Sequence, residues 1–343
     1  MPKLFILLGL LGALVTAAYD PLADILERQD YPRLLELSRE AVFTRESAHN
    51  YYYLGAAYAG LRRPKLADKA YLVALEKPDL TYEMGANVAD YFEAKNAAET
   101  AVNVCMQLFR KFPKEKLSTS QRIVKALARQ NKHQEIINFF TGFIEEDPET
   151  VNPLAYYVGL GYYALEDLQA AGTYFQEAFD AGYRDVDLLL KMGELKLKSG
   201  DWQAGLDYLN DGIRMGGVVY TPEASTYKYL GLAYAKLDDP QKAAANFRQA
   251  ITAGNREPEI YVQFAENALL GKDFQGILTV LEPRVAANSK NADYQYYLAS
   301  ACDNLNLRAQ AIQYYQKALE AGYKNADFVR LRVSALRQQE EDE

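Results

Sequence analysis

The stretch LGLAYAKLDDPQKAAANFRQAI (Leu230 to Ile251) decides how this chain folds, because three others repeat its pattern. They are LGAAYAGLRRPKLADKAYLVAL (Leu54 to Leu75), VGLGYYALEDLQAAGTYFQEAF (Val158 to Phe179) and LASACDNLNLRAQAIQYYQKAL (Leu298 to Leu319). In each, a small residue lies three positions before an aromatic or a cysteine. An alanine comes nine positions after that, then an aromatic four later and another alanine three later. A unit of this size cannot bury its own apolar face, so copies must stack on one another.

With the first small residue as anchor, weaker copies fill the gaps. The anchors are Leu22, Gly55, Ala89, Val124, Gly159, Gly193, Gly231, Ala265 and Ala299, at spacings of 33, 34, 35, 35, 34, 38, 34 and 34 residues. Nine units then occupy the chain from about Pro21 to about Tyr323. Each unit carries two helix-length apolar patterns split by a short polar turn. In the second unit Tyr51, Leu54, Gly55 and Tyr58 share one face, as do Leu66, Ala67, Ala70, Tyr71 and Ala74 after the break at Arg62 to Pro64. Small pairs such as Gly55 with Ala67 and Gly231 with Ala243 let two antiparallel helices approach, and glycines follow the last alanine at Gly182, Gly254 and Gly322.

The pattern has exceptions. Leu22 with Leu34 and Val124 with Ile136 are large where small residues are expected, so those pairs are expected to splay. Lys196 and Ala268 stand in aromatic slots, and Pro283 is expected to kink or end its helix. The long spacing is absorbed by Arg214 to Pro222, whose Gly216-Gly217 pair reads as a hinge or as a tolerated insertion.

At these residues the chain resembles the tetratricopeptide repeat (TPR) family. Tyr227, Leu230, Gly231, Tyr234, Ala243, Phe247 and Ala250 match its motif in the seventh unit; Gly200, Asp201 and Trp202 match its turn, and Pro113 and Pro148 its closing proline. The resemblance implies an all-α fold, a right-handed superhelical α-solenoid of about nine helix pairs, with first helices lining a concave groove. It implies a binding scaffold rather than a catalyst.

Residues 1–18 read differently. Lys3 precedes an apolar run, Leu4 to Val15, followed by the small residues Thr16-Ala17-Ala18. That is the layout of a secretory signal peptide, cleaved after Ala17 or Ala18, and the run falls short of the roughly 20 residues of a spanning helix. An uncleaved anchor is the other reading of the same run. The expected organisation is a signal peptide at 1–18, repeats over 19–324, a capping helix at 325–337 and an acidic tail at 338–343. Export to the periplasm or secretion follows, with no membrane span after cleavage. Phe328, Leu331, Ala335 and Leu336 are expected to cover the last repeat.

The two cysteines, Cys105 and Cys302, fall in aromatic slots six units apart, so two buried free thiols are expected. A formal charge of −8 argues against nucleic acid as a partner, and against the related RNA-reading pentatricopeptide fold. Only two histidines occur, His49 and His133, neither with metal-ligand spacing, and no nucleophile or phosphate-loop motif is present. No metal, cofactor or catalytic residue is expected. Glu145-Glu146-Asp147 and Asp238-Asp239 read as solvated caps.

The sequence holds 27 tyrosines, more than the packing slots need. Tyr52, Tyr156, Tyr163 and Tyr296 fall on the groove side of first helices, together with Leu160. Charges on that side are segregated along the chain. Glu83, Asp90 and Glu93 make unit three acidic; Lys125 and Arg129 make unit four basic, as Lys228 and Lys236 do unit seven; Glu259, Glu266, Asp293 and Asp303 are acidic again. Tyr52, Lys125, Arg129, Tyr156, Tyr163, Lys228 and Tyr296 are the candidate ligand contacts. The expected ligand is a protein or peptide; the alternative is a glycan, stacked on tyrosine rings, in polysaccharide export or wall assembly. The Lys-Asn-Asn-Lys-Arg carboxylate clamp of some family members cannot be placed here.

Overall fold

A computed structural model describes residues 20–146, 151–286 and 290–341; the amino-terminal run, Asp147 and Pro148 lie outside the described residues. Every regular element among the described residues is helical, and the chain divides into two compact units at Phe140 and Thr141.

The first unit holds α1 (Pro21–Glu27) with α2 (Tyr31–Thr44), α3 (Ala48–Gly60) with α4 (Pro64–Glu76), α5 (Tyr82–Ala94) with α6 (Ala98–Lys111), then a short 3-10 turn at Pro113–Glu115, α7 (Lys116–Ala128) and the start of α8 (His133–Glu146). The second unit holds α9 (Val151–Ala164) with α10 (Leu168–Asp180), α11 (Val186–Lys198) with α12 (Trp202–Gly216), α13 (Ala224–Lys236) with α14 (Pro240–Thr252), α15 (Pro258–Leu270) with α16 (Phe274–Ala286), α17 (Ala292–Asn304) with α18 (Arg308–Glu320), and α19 (Ala326–Glu341).

The backbone itself carries the repeat. Seven residues after each anchor the chain turns left-handed, at Gln29, Arg62, Asn96, Asn131, Glu166, Asp238, Lys272 and Asn306 with φ of 55–63°, and at Gly200 with φ of 86°. The next residue's N–H then donates back to the carbonyl three residues after the anchor: Arg63 to Tyr58 at 2.8 Å, Asp239 to Tyr234 at 2.9 Å, Asp273 to Ala268 at 2.7 Å. This is the Schellman closure of a helix end. That same residue caps the second helix, and where it is aspartate its carboxylate accepts an N–H of the first turn, as Asp167 does from Ala170 at 3.0 Å and Asp239 from Lys242 at 3.1 Å. Gly182, Gly254 and Gly322 close α10, α14 and α18 at φ of 91°, 106° and 83°.

Packing within a pair differs in detail from the small-on-small contact the sequence implies. A Cβ added to Gly231 would lie 2.7 Å from the ring of Phe247, so the second-helix aromatic, and not Ala243, occupies the space the glycine leaves. Tyr71 fills the same place at Gly55 and Phe175 at Gly159. Among the described glycines, it is at Gly193 and Gly205 that the backbones of a pair themselves meet, each added Cβ falling 3.0 Å from the other's carbonyl oxygen. The large exceptions are packed: Leu34 and Ile136 are fully buried.

Of the two outcomes open at Pro283, a kink or an end, the helix does not end there; α16 runs on to Ala286. Pro283 itself is exposed, where the carbonyl it leaves unpaired can meet water. On α19 the expected Leu336 is buried and is joined by Val329 and Val333, whereas the expected Phe328 and Leu331 are 47% and 73% exposed. Burial selects the branched residues at i, i+4 and i+7, and the helix then continues into the segment read as a tail, as far as Glu341, because glutamine and glutamate propagate helices well. Cys105 and Cys302 are buried free thiols, and burial pushes both up to about 11.

Candidate functional site

The groove tyrosines share one packing arrangement. Tyr52, Tyr156 and Tyr296 each lie three residues before an anchor, and each ring meets the second-helix aromatic of its own repeat: Tyr71 at 5.9 Å, Phe175 at 6.0 Å and Tyr315 at 6.2 Å. Tyr163 approaches Phe175 from the other side at 6.4 Å. Tyr156 is 7% exposed, and its hydroxyl donates to Asp187 at 2.6 Å; burial first, then the Asp187 charge, raises its pKa far above the tyrosine range. Tyr296 stacks on Tyr323 at 4.3 Å with the planes 9° apart. Tyr52 accepts a hydrogen bond from Asn87 at 3.1 Å. Each of these tyrosines thus has partners inside the protein, and nothing supports the glycan reading.

The charges, segregated along the chain, neutralise across helices. Arg122 on α7 reaches Asp90 on α5 at 2.5 Å, and Arg129 reaches Glu93 at 2.8 Å. Lys228 on α13 meets Glu257 at the start of α15 at 2.6 Å, and Lys236 lies over the Trp202 ring at 5.8 Å. Such pairs, 29 to 36 residues apart in sequence, tie one first helix to the next repeat. Lys125 is exposed and has no carboxylate partner among the described residues. Of the seven candidates, the structure brings Lys125 in the last turn of α7 together with Arg129, the residue that caps it, and Tyr156 and Tyr163 together on Phe175; Tyr52, Lys228 and Tyr296 each sit in their own repeat.

Sequence reasoning missed Glu194, one residue after its anchor on α11. Its carboxylate accepts from Tyr229 at 2.6 Å and pairs with Lys198 at 2.7 Å, while Lys191 lies over the Tyr163 ring at 4.5 Å. Burial works to raise the pKa of Glu194, but hydrogen bonds from Lys198, Tyr229 and Tyr163 outweigh it and hold the carboxyl below its ordinary 4.5. The equivalent residue in unit three is Asp90, so an acid just after the anchor was the signal available. Because the folded pKa is depressed, the stabilisation is complete above about pH 4.5 and is lost as pH falls through the folded value. Glu194→Gln is expected to lower stability at pH 7 by about 1 kcal/mol, allowing for solvent screening. That deficit should shrink in urea melts as the pH is lowered below 4.5; one that persists unchanged down to about pH 2 would refute the linkage.

The openings among the described residues include two where the repeat lacks a ring. A cavity of about 350 Å³ lies between α5, α6 and α7, with Ala89, Ala101, Cys105 and Ala126 as its small lining residues and Asp90, Glu93, Arg122 and Lys125 as its charged ones. A wider cleft of about 910 Å³ lies between α10 and α11 beside Lys196 and Gly172, two positions with no ring to fill them. His49 bonds Asp20 at 2.8 Å, and among the described residues no cluster of histidine, cysteine or carboxylate is placed to hold a metal.

Helix pairs recur at a spacing near 34 residues, closed by one turn geometry and packed glycine to ring. The fold is an all-α solenoid of helix pairs, as the tetratricopeptide resemblance implies. No family model matches the chain, and no curated protein matches it either. Solved structures that it is similar to include YrrB, a TPR protein with an unusual peptide-binding site, at 16% identity and a TM-score of 0.48 over 57% of this chain and 97% of that one. The C-terminal part of a TPR repeat-containing protein from Cytophaga hutchinsonii is 15% identical, with a TM-score of 0.47 over 71% and 97%. A tetratricopeptide repeat protein from Parabacteroides merdae is 14% identical, with a TM-score of 0.42 over 75% and 98%.

Proposed function

We propose that this TPR-type protein is a non-catalytic scaffold that holds a peptide segment of a partner protein on its first-helix side, outside the cytoplasm. The cavity between α5, α6 and α7 carries this reading: an opening of about 350 Å³ with an apolar floor and charged residues around it suits a side chain of an extended chain. The chemistry of the surface agrees. Burial pushes the Cys105 thiol in the cavity up to about 11 and the Tyr91 hydroxyl up to about 12. Groups so far from neutral cannot exchange protons readily at pH 7. The carboxylates beside the cavity are held by arginines.

Export rests on the sequence of residues 1–18, with its apolar run and small residues before Tyr19. No helix among the described residues is long and apolar enough to cross a membrane.

A photoreactive amino acid at Gln121, an exposed residue lining the cavity, tests the scaffold in intact cells. Crosslinks to a defined protein partner are expected, and their absence at Gln121 with crosslinks elsewhere would place binding on another face. Fractionation and amino-terminal sequencing test the location. A mature chain starting at Ala18 or Tyr19 outside the cytoplasm is expected, and an intact Met1 in the cytoplasm would overturn export.

A further inference from the structure

We propose that the cavity between α5, α6 and α7 is a subsite for one aromatic side chain of the bound peptide, with Lys125 receiving a carboxylate next to it. This deepens the peptide-scaffold reading and rests on it. The cavity marks the place of rings that other repeats supply for themselves. Sixteen residues after the anchor, the second helix carries Tyr71, Phe140, Phe175, Phe247 or Tyr315 in five repeats, each at most 6% exposed. In the third repeat that position is Cys105, 4% exposed.

The neighbouring rings are missing as well. In the second repeat Tyr71 is flanked by Tyr52 at 5.9 Å and by Tyr91 of the next first helix at 4.8 Å. The equivalents around Cys105 are Ala86 and Ala126, both buried. A thiol and an alanine, Cys105 and Ala126, therefore line the cavity where Tyr71 and Tyr91 pack one repeat earlier, with Ala89 and Ala101 completing an apolar floor. A planar ring is the group that the repeat's own geometry accommodates at this position.

Charge selects what adjoins the ring. The two carboxylates lining the cavity, Asp90 and Glu93, are paired with Arg122 and Arg129. Lys125 lines the same cavity with no carboxylate partner among the described residues. With Arg129, which pairs Glu93 from outside the lining, counted, its ammonium leaves the group one positive charge in excess, which an aspartate or glutamate beside the aromatic residue neutralises.

Random linear dodecapeptides displayed on phage, selected on the full-length protein, supply the probes. Selected peptides are expected to carry Phe, Tyr or Trp with an acidic residue within two positions. Synthesised and titrated by calorimetry, they should bind Cys105→Phe about tenfold or more weakly, with its melting temperature unchanged or raised because the new ring fills the slot. Cys105→Leu replaces that variant if it does not fold. Lys125→Glu should weaken binding about threefold, an effect that shrinks with added salt. Equal binding to wild type and to the folded Cys105 variant overturns the subsite and leaves the scaffold standing. Failure to enrich any peptide overturns both. An unchanged affinity for Lys125→Glu overturns the carboxylate half alone.

Discussion

Phe247→Ala is expected to cost the second unit about 3–5 kcal/mol in urea unfolding, the range for removing a buried aromatic ring without collapse of the site. Phe247 is fully buried and belongs to a core shared by α14, α15, α16, α17, α18 and α19. Its ring also lies against Gly231 on α13. The loss should therefore reach beyond one helix pair, since repeats stabilise one another through their interfaces. The glycine makes the argument sharper. Gly231→Ala places a Cβ 2.7 Å from the same ring, and is expected to cost about 1–3 kcal/mol by overpacking. Joined to Phe247→Leu, which gives the Cβ room, the two should cost less than their sum by at least about 0.5 kcal/mol. Strict additivity would mean that the ring and the glycine do not share that space.

Asp303→Ala is expected to release α19. Asp303 on α17 accepts a paired set of hydrogen bonds from Arg332, Nε to Oδ2 at 2.6 Å and Nη2 to Oδ1 at 2.7 Å, with the Tyr315 hydroxyl at 3.3 Å. The carboxylate is only 10% exposed, so this fork is largely shielded from water. Removing it is expected to cost about 2 kcal/mol and to leave the guanidinium without its acid. By hydrogen exchange, amides of α19 should open about 30-fold more often while those of α13 are unchanged. Equal protection in the variant would show that Val329, Val333 and Leu336 hold the helix unaided.

What could be read from the sequence, and what could not, divides by distance along the chain. Helix pairs and turns were legible because anchor, turn residue and capping aspartate lie within a few residues of one another, as at Gly231, Asp238 and Asp239. The ring that presses on Gly231 was harder to assign, since Ala243 and Phe247 both lie on the facing helix and only the crossing of the helices chooses between them. The ion pairs Arg122–Asp90 and Arg129–Glu93 were read as separate acidic and basic zones, because adjacent first helices place side by side what the chain keeps apart. The face of α19 was misread for a related reason. Phe328 and Leu331 are as apolar as Val329 and Val333, and it is packing against the last repeat that selects among them. The cavity at Cys105 was half legible: the residue was seen as small in an aromatic slot, but Ala126 comes from the next repeat.

Nine turns adopt the same left-handed backbone state, spaced 33 to 38 residues apart, although glycine, asparagine, aspartate, glutamine, glutamate, arginine and lysine variously occupy them. Any two of these positions are interchangeable breakpoints. Joining the chain from just before Asp238 to Lys272 deletes one whole module and brings a first helix to the second helix of its neighbour, with no new turn to invent. Its length is thus quantised, and a recombination event at two equivalent turns shortens or extends the stack by whole steps.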